Sequence, residues 1–466
     1  MRGRLPQQHL WFMICSMTMN LKIFLKTYGC QMNERDSEMI SALLQRAGFA
    51  VASRENNADI IIVNTCSVRE KAEDKALGKM RLLVAGRKKE RKQLMVGAVG
   101  CMVQRMKNEI FRKVPGLDFA LGTGRLAAVG DAIQKVLAGQ RPVIDVATGK
   151  FSCETGTHLD DNISAFINIL YGCNRHCSYC VVPEVRGSEW SRGAPEIISE
   201  AVELVRGGTR EITLLGQSIL TYGRANDVWP GGEKSKKDFK EPFPRLLEAL
   251  DSISGLKRLR FTSSHPSGCT GELALCFSEL PTLCPHVHLP LQSGSDRILK
   301  LMNRGYTAEE YRAAVGCLRQ SIPHIAVTTD IIVGFPSETK EDFDLTRAFM
   351  DEIGFSNAFI FKYSPRPGTK AAGLKDDVSE SEKLRRNHII LEEQNRHSLK
   401  MNRLLLGREC EVLVEGQSRR NPHRWSGRTG TNILAVFEKP DNYRPGDLVR
   451  IKIDRAEPQT LYGTPC

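Results

Sequence analysis

Along the first 140 residues, the pattern of apolar and polar positions repeats one unit three times: a short apolar segment, a cysteine, and a segment with helical spacing of apolar residues. The predicted strands are Lys22–Thr27, Asp59–Val63 and Lys92–Val99. Strands that alternate with helices predict a parallel sheet with helices on its faces. The carboxyl ends of such strands open on one edge of the sheet, where ligands bind. Cys30, Cys66 and Cys101 each lie just past a predicted strand, so we expect them to converge on that edge.

A second series of strands and helices follows a stretch of mixed polar residues that contains Pro142 and Gly149. Its strand candidates are Ala165–Leu170, Glu211–Leu215, Leu259–Thr262, His286–Leu291, Ala326–Val333 and Ala358–Tyr363. Six such units predict an incomplete (β/α)6 barrel, with function expected at the carboxyl ends of its strands by analogy with the complete barrel.

The last region begins after a long helix that opens at Ser379, where Ser379 and Glu382 have the spacing of a capping box. Short alternating segments then predict a small all-β, OB-like barrel: Glu411–Val414, Ile433–Val436 and Leu448–Ile453. From Lys400 to the end, 12 Lys and Arg residues stand against 8 Asp and Glu residues. A basic β-barrel with an aromatic residue at Trp425 predicts either an RNA-binding surface or an interdomain packing module.

The composition is that of a globular protein with several domains: 466 residues, 41% of them apolar and 26% charged. No apolar stretch reaches the ~18 residues that a membrane span requires, so we expect no membrane association. The net charge of +12 favours an anionic partner such as a nucleic acid. Fourteen cysteines without a convincing signal peptide indicate a reducing compartment, and we expect the protein in the cytoplasm.

Cys173, Cys177 and Cys180 form a C-x3-C-x2-C run directly after the first predicted barrel strand. Three thiolates at this spacing bind three irons of a 4Fe–4S cluster and leave the fourth iron without a protein ligand. Such an open position is where substrate or cofactor chemistry takes place. The alternative is a structural zinc site, which normally closes with a fourth ligand, but His176 within the run would strain the same short loop.

Cys30, Cys66 and Cys101, taken singly, are more often inert buried thiols than metal ligands. Their recurrence at one structural position, past three successive strands, favours a second three-cysteine cluster with one free iron. The other eight of the 14 cysteines show no clustered spacing, and we interpret them as ordinary buried or surface thiols.

Motifs along about residues 21–463 resemble those of the methylthiotransferase family of radical S-adenosylmethionine (SAM) enzymes. The matching segments are Tyr28–Glu34, Asn64–Glu70, Gly100–Cys101, Gly172–Pro183, Thr262–Pro266, Leu289–Ser295, Val333–Pro336 and Tyr363–Thr369. Together with the patterns above, the resemblance implies five regions. They are a disordered extension or misassigned start (1–20), an N-terminal methylthiotransferase domain that binds an auxiliary cluster (21–139), a linker (140–158), a radical SAM core (159–398) and an RNA-binding TRAM domain (399–464).

The segments after the first two cysteines, Gln31–Asn33 and Ser67–Glu70, are most similar to the MiaB-type branch of that family. The resemblance implies a radical SAM reaction that converts the C–H bond at carbon 2 of N6-isopentenyladenosine, next to the tRNA anticodon, to C–S–CH3. An aromatic C–H is not acidic enough for an ordinary side-chain base, so a cofactor must carry the chemistry. Two segments depart from the usual family wording, Pro183–Gly187 and Gln217–Tyr222.

The resemblance also implies the cofactors, two 4Fe–4S clusters and SAM, and their ligands. Cys30, Cys66 and Cys101 would hold cluster 1, the auxiliary cluster, and Cys173, Cys177 and Cys180 would hold cluster 2, which coordinates SAM. The backbone at Tyr179 would contact the adenine of SAM, although packing of Tyr179 within its loop is the alternative. The implied partners are the anticodon stem-loop of tRNA, an electron donor such as a flavodoxin or ferredoxin, and a sulfur donor.

Three other functions remain open at this point. One is methylthiolation of threonylcarbamoyladenosine in tRNA, against which Gln31–Asn33 argues. Another is methylthiolation of an aspartate in a ribosomal protein. The last is an iron–sulfur RNA-binding protein without turnover, which would have no need for an open iron.

Overall fold

The structure, a computed structural model, describes residues 21–67, 70–89, 93–148, 158, 163–232, 235–440 and 442–466. The chain forms two compact units, one of Met1–Asp160 with Val181–Ser188 and one of Asp161–Cys180 with Glu189–Cys466. The predicted extension (residues 1–20) lies outside the described residues. Residues 149–157 of the predicted linker also lie outside them.

The first unit is built on a six-stranded parallel sheet with strand order β2-β1-β3-β4-β5-β6. Its strands are β1 (Lys22–Tyr28), β2 (Ala50–Val51), β3 (Ile60–Thr65), β4 (Met95–Gly100), β5 (Phe119–Leu121) and β6 (Val143–Asp145). Its helices are α1 (Gln31–Arg46), α2 (Glu70–Lys89), α3 (Cys101–Met106), α4 (Glu109–Lys113), α5 (Val129–Leu137) and α6 (Val182–Arg186). The predicted parallel sheet is confirmed, but β6 lies within the predicted linker and extends the sheet instead.

Both faces of this sheet are covered, which explains the composition of its central strands. Every residue of β3 and β4 is buried, as expected for a parallel strand packed on both sides. Gly97 in β4 allows the Phe119 ring to lie against the backbone, because a Cβ at Gly97 would come within 2.0 Å of that ring.

The second unit contains six parallel barrel strands in two half-sheets, with orders β11-β10-β7 and β12-β13-β14. These strands are β7 (Ser164–Asn168), β10 (Glu211–Leu215), β11 (Arg258–Phe261), β12 (His286–His288), β13 (Ala326–Val333) and β14 (Asn357–Lys362). A short antiparallel pair accompanies them, β8 (Leu170–Tyr171) and β9 (Trp190–Ser191). The predicted partial (β/α)6 barrel is therefore confirmed. The strand predicted to reach Leu291 ends at His288, where Pro290 follows and has no N–H to donate to the ladder.

The helices of this unit occupy the intervals between the strands. They are α7 (Ala194–Arg206), α8 (Pro242–Asp251), α9 (Gly271–Glu279), α10 (Asp296–Leu301), α11 (Ala308–Ser321), α12 (Lys340–Ile353) and α13 (Glu380–Arg403). Short 3-10 helices in the chain lie at Glu55–Asn57, Thr123–Ala128, Ile219–Thr221, Pro266–Gly268 and Lys370–Gly373. Among the described residues, no helix combines the length and the apolar character needed to cross a membrane.

The long helix α13 opens as predicted at Ser379, whose hydroxyl accepts from the N–H of Glu382 at 3.2 Å. The Glu382 carboxylate pairs with Arg385 and Arg386, so we see only the N-cap half of the predicted capping box.

A closed five-stranded barrel follows, with order β15-β16-β17-β19-β18. Its strands are β15 (Glu409–Gln417), β16 (Arg424–Thr429), β17 (Leu434–Glu438), β18 (Leu448–Ala456) and β19 (Thr460–Pro465). The predicted small β-barrel is confirmed. Trp425, however, is only 7% exposed and packs in the barrel core, so it is not the surface aromatic that the sequence indicated.

Two buried arginines anchor this small barrel to the larger one. Arg258 donates to the carbonyl of Arg428, and Arg260 donates to the carbonyls of Thr429 (2.8 Å) and Gly430 (2.9 Å). The Arg260 guanidinium also pairs with Glu211 at 2.8 Å. Arg258 and Glu211 begin their strands, so the small barrel contacts the amino ends of the strands. The cysteine loop follows the carboxyl end of β7.

Candidate metal centres

The predicted convergence of the first cysteine triad follows from strand register. The last residues of β1, β3 and β4 are paired with one another across the sheet. Cys66 and Cys101 come directly after β3 and β4, and Cys30 lies two residues past β1. The three thiols therefore share the carboxyl edge of the sheet, as the sequence predicted.

Each of these cysteines also lies at or near the start of a helix. Cys30 immediately precedes α1, Cys101 is the first residue of α3, and Cys66 lies four residues before α2. The positive end of a helix dipole favours a thiolate over a thiol. Cys30 and Cys101 thus lie at helix starts, where negative charge is favoured.

An interlocked pair of asparagines joins the first two cysteine loops. The Asn33 amide donates to Asn64 Oδ1 at 3.1 Å and to the Thr65 carbonyl at 3.3 Å. The Asn64 amide donates to the Asn33 carbonyl and to Ser37 Oγ, both at 2.9 Å. Asn33 Oδ1 accepts from the backbone N–H of Cys30 at 3.3 Å. Both asparagines are fully buried, so this pair fixes α1 against the end of β3.

Glycines precede two of the cysteines because the asparagines leave no room for a side chain. A Cβ at Gly29 would lie 2.2 Å from Asn33 Oδ1. A Cβ at Gly100 would lie 2.5 Å from Asn64 Oδ1, and Gly100 has φ +99°, a conformation that favours glycine.

Arg186, at the end of α6, lies against the third cysteine of the triad. Its Nε donates to Cys101 Sγ at 3.3 Å. Its two terminal nitrogens donate to the Asp36 carboxylate at 2.6 and 3.4 Å. The side chains of Arg186 and Asp36 are only 3% and 4% exposed, so this is a buried, two-point ion pair.

The thiols of this triad differ in acidity because their surroundings differ. A hydrogen bond with Cys66 lowers the pKa of Cys30 to about 6, and the Arg186 charge adds to that effect. Burial raises the pKa of Cys101, while Arg186 opposes the rise. One cation therefore favours the thiolate form of two cysteines in the triad.

The second triad lies on a loop that is held from two sides. The Cys180 N–H donates to the Cys177 carbonyl at 3.1 Å, which closes a tight turn. Ser178 lies between them. Its backbone N–H donates to the Met302 carbonyl at 2.9 Å, and its carbonyl accepts from the N–H of Ala371 at 2.7 Å. Backbone bonds therefore fix the loop independently of any bound group.

Arg304 lies beside this loop much as Arg186 lies beside the first triad. It donates to Cys177 Sγ and to the Tyr179 hydroxyl, both at 3.3 Å, and to Tyr306 and the Pro290 carbonyl. Burial raises the pKa of Tyr179 well above its usual range. The Tyr179 side chain is thus engaged within the protein, and the predicted contact of the Tyr179 backbone with SAM stays a prediction.

Each donor set consists of three thiols, the number that a 4Fe–4S cluster with one open iron takes from a protein. A tetrahedral zinc would bring its thiolates to about 3.8 Å from one another, given Zn–S bonds of about 2.3 Å. Among the described residues, no group of three Cys, His, Asp or Glu side chains could hold one metal ion. A 4Fe–4S cluster instead distributes three thiolates over three irons. His176, the zinc alternative's fourth ligand, has an exposed side chain.

Four polar side chains to which no role was assigned from the sequence lie at the carboxyl ends of the barrel strands, three of them in the motif segments quoted above. Asn168 ends β7, Tyr363 directly follows β14, and Ser264 and Gln217 lie in the loops after β11 and β10. In the described structure, Asn168 Oδ1, Ser264 Oγ, Tyr363 Oη and Gln217 Oε1 are buried without a hydrogen-bond partner. Buried polar groups normally have partners, so these atoms are candidate contacts for a cofactor or substrate.

Comparison with known proteins now identifies the family. Three family models match in order: uncharacterized protein family UPF0004 (residues 22–122), the radical SAM superfamily (167–350) and the TRAM domain (403–466). The tRNA-2-methylthio-N(6)-dimethylallyladenosine synthase of Akkermansia muciniphila is 41% identical over 96% of this chain and 99% of its own. The synthase of the same name from Moorella thermoacetica is 44% identical over 94% and 96%. The chain belongs to this synthase family.

Solved structures with little sequence similarity share the fold of the synthase family. The radical SAM methyltransferase TsrM from Kitasatospora setae, with tryptophan and aza-SAM bound, has a TM-score of 0.56 at 13% identity, over 75% of each chain. The radical SAM enzyme OxsB has a TM-score of 0.52 at 12% identity, over 82% of this chain and 58% of its own.

Membership of the synthase family confirms the predicted family, the enzyme class, and the cofactors SAM and 4Fe–4S clusters. The six cysteine ligands and the domain boundaries stay predictions. The asparagine pair lay within matching motifs and Arg186 lay in the departing segment Pro183–Gly187, but the roles of these residues depend on tertiary contacts. Arg304 and Asp36 gave no sequence signal.

Proposed function

We propose that the protein is a radical SAM methylthiotransferase that converts N6-isopentenyladenosine next to the tRNA anticodon to 2-methylthio-N6-isopentenyladenosine. The observation that carries the proposal is the full-length similarity of 41–44% to synthases named for this product. Two separate three-cysteine sets, each at the carboxyl ends of parallel strands, support it.

The six cysteines divide between two sites. Cys173, Cys177 and Cys180 would hold the cluster that coordinates SAM, and Cys30, Cys66 and Cys101 would hold the auxiliary cluster. When bound, these groups supply the one-electron chemistry and the sulfur atom that no protein side chain provides. The chain's own residues hold the thiolates in place and leave one corner of each site without a protein ligand.

The barrel mouth would receive the adenine. Chemistry on a base requires the nucleotide to leave its stack, and a loop presents such a base more readily than a duplex does. The orphaned polar atoms of Asn168, Gln217 and Ser264 are our candidates for contacts to SAM or the nucleobase. The C-terminal barrel would add affinity through phosphate contacts, which weaken as salt rises.

The finer details of partners and boundaries are also proposals. We propose the anticodon stem-loop of tRNA as substrate, a flavodoxin or ferredoxin as electron donor, a separate sulfur donor, and a cytoplasmic location. For the regions we keep 21–139, 159–398 and 399–464, with the N-terminal domain extended to include β6.

Mass spectrometry of nucleosides from cells that lack the protein tests the reaction. We expect the methylthio mark to disappear while isopentenyladenosine accumulates, and the intact gene to restore the mark. The same cells should keep methylthiolated threonylcarbamoyladenosine and the ribosomal-protein modification. An unchanged profile of isopentenylated tRNA would contradict the proposal.

Iron content tests the two sites. We expect about eight irons per reconstituted chain, since each cluster carries four. Changing Cys30, Cys66 and Cys101 together to Ala should halve the iron and leave reductive cleavage of SAM detectable. Changing Cys173, Cys177 and Cys180 to Ala should also halve it, but abolish that cleavage. If the first variant also lost SAM cleavage, the proposed separation of roles would be wrong.

A further inference from the structure

We propose that Arg186 is a positioning residue of the auxiliary centre: it holds the Cys101 thiolate in place and compensates the negative charge of the three-cysteine site. This inference rests on the proposed function, because it assumes that Cys30, Cys66 and Cys101 bind the auxiliary cluster.

The first argument is geometric. The Arg186 guanidinium has partners on two sides, since its Nε donates to Cys101 Sγ and its terminal nitrogens donate to the Asp36 carboxylate. The helix that carries it is fixed as well. Val185 packs against Cys101, and the Val185 carbonyl accepts from the Thr123 hydroxyl at 2.5 Å. A guanidinium held this firmly aims one N–H at a single sulfur.

The second argument is electrostatic. Three thiolates and a cluster carry negative charge into a site where Cys66 and Cys101 are 1% and 5% exposed. A buried charge without a partner is costly, and a planar guanidinium serves two partners at once because its donors form a rigid fork. The Nε edge of the Arg186 guanidinium faces Cys101, and the terminal nitrogens of the same guanidinium pair with the Asp36 carboxylate.

The consequence concerns the redox properties of the cluster. Hydrogen bonds to the sulfurs and nearby charges set the potentials of iron–sulfur centres. A cation beside a thiolate ligand stabilises the reduced, more negative cluster, so Arg186 should raise the midpoint potential. A residue that merely packs the loop would not affect that potential.

The test isolates the auxiliary cluster in full-length protein by changing Cys173, Cys177 and Cys180 to Ala. In this background we compare Arg186→Gln, Arg186→Lys and the double variant Arg186→Gln/Asp36→Asn, in which a neutral pair replaces the buried ion pair. Iron content, thermal unfolding and an EPR-monitored redox titration are measured for each.

A matched control is Arg87→Gln. Arg87 pairs with the buried Asp118 at 2.5 Å in the same unit. That pair lies just before β5, at the amino ends of the strands and away from the cysteines. Asp118 also pairs with Arg141 at 3.1 Å, so Arg141→Gln is combined with Arg87→Gln in the control. The combined variant removes both arginines from a buried carboxylate, and it should keep both the iron content and the potential of the parent.

We expect the double variant to retain about four irons. Its equilibrium constant for cluster reduction should be at least tenfold lower, a shift of about 59 mV for one electron. Arg186→Lys should have a midpoint potential between those of the double variant and the parent, because lysine keeps the positive charge but lacks the planar set of guanidinium donors. An iron-free Arg186→Gln variant that unfolds at the same temperature as the control would also support the role.

Two results would overturn the inference. One is a double variant whose potential equals that of the parent. The other is a loss of iron that accompanies a larger loss of thermal stability than in the control, since that would make Arg186 structural only. If changing Cys30, Cys66 and Cys101 to Ala in this background left the iron content unchanged, the proposed cluster assignment would fail as well.

Discussion

The asparagine pair makes a prediction about how the auxiliary site is assembled. Changing Asn64 to Ala removes a side chain that binds no metal and leaves all six proposed ligands in place. It deletes three buried hydrogen bonds, two donated by the Asn64 amide and one accepted by its oxygen from Asn33. The link between α1, which begins after Cys30, and the end of β3, which precedes Cys66, then loses three hydrogen bonds and keeps the one from Asn33 to the Thr65 carbonyl.

The magnitude follows from the partners that remain. Asn33 Nδ2 keeps its bond to the Thr65 carbonyl, and Ser37 Oγ keeps its bond to Thr27 Oγ1 at 2.7 Å. Each broken bond therefore costs roughly its net worth of about 1 kcal/mol rather than the full penalty of an orphaned group. We expect the free energy of unfolding to fall by about 3 kcal/mol for three bonds.

The functional result should be more specific than the loss of stability. Because the Cys30 and Cys66 loops lose most of the hydrogen bonds that join them, reconstituted protein should bind about four irons instead of about eight. Reductive cleavage of SAM, which depends on the other triad, should persist. Denaturant unfolding and iron analysis on one preparation measure both effects.

Asn57→Ala is the matched control, since Asn57 is exposed in the same unit. A surface change of this kind should shift stability by less than about 0.5 kcal/mol. If Asn64→Ala retained the full iron content despite the expected loss of stability, the asparagines would not position the cysteines. If its stability matched that of the control, the hydrogen-bond accounting would be wrong.

Two further predictions concern the second unit. Burial lowers the pKa of His265 to about 2. The unfolded chain binds a proton at this histidine below about pH 6.5, but the folded protein does not. The free energy of unfolding therefore falls as pH drops. Relative to His265→Gln, the wild type should lose about 1.4 kcal/mol between pH 7.5 and 5.5 in denaturant unfolding; equal pH dependence of the two would contradict this. Changing Arg260 to Leu leaves Glu211 buried and unpaired at the junction with the small barrel, and should cost about 3–5 kcal/mol. Arg450→Leu, at an exposed ion pair, should cost much less, and similar losses would show that the junction does not depend on the buried pair.

The parts of the fold that the sequence predicted are those with strong periodic signals. The buried strands β3 and β4 contain apolar runs, and the three cysteines recur at the same point after a strand. Parallel pairing then requires their convergence, because strands that end in register place their next residues together. The cysteine positions were therefore predictable before any contact was known.

The elements that were missed lack such signals. The strands β5 and β6 have three residues each, and β16 contains arginines, a serine and a glycine. These strands are specified by their neighbours in the sheet or barrel rather than by their own composition. Trp425 was misplaced for a related reason, since only the closed barrel determines that its ring points into the core.

The same distinction applies to the candidate sites. Spacing identified the proposed ligands, but the residues that hold them are fixed by tertiary contacts. In each triad, a buried arginine donates to one cysteine sulfur at 3.3 Å, Arg186 to Cys101 and Arg304 to Cys177. The two arginines lie on unrelated elements, a short helix after Cys180 and the segment after α10. Two unrelated segments have thus reached the same arrangement, in which a buried guanidinium lies against a proposed cluster ligand.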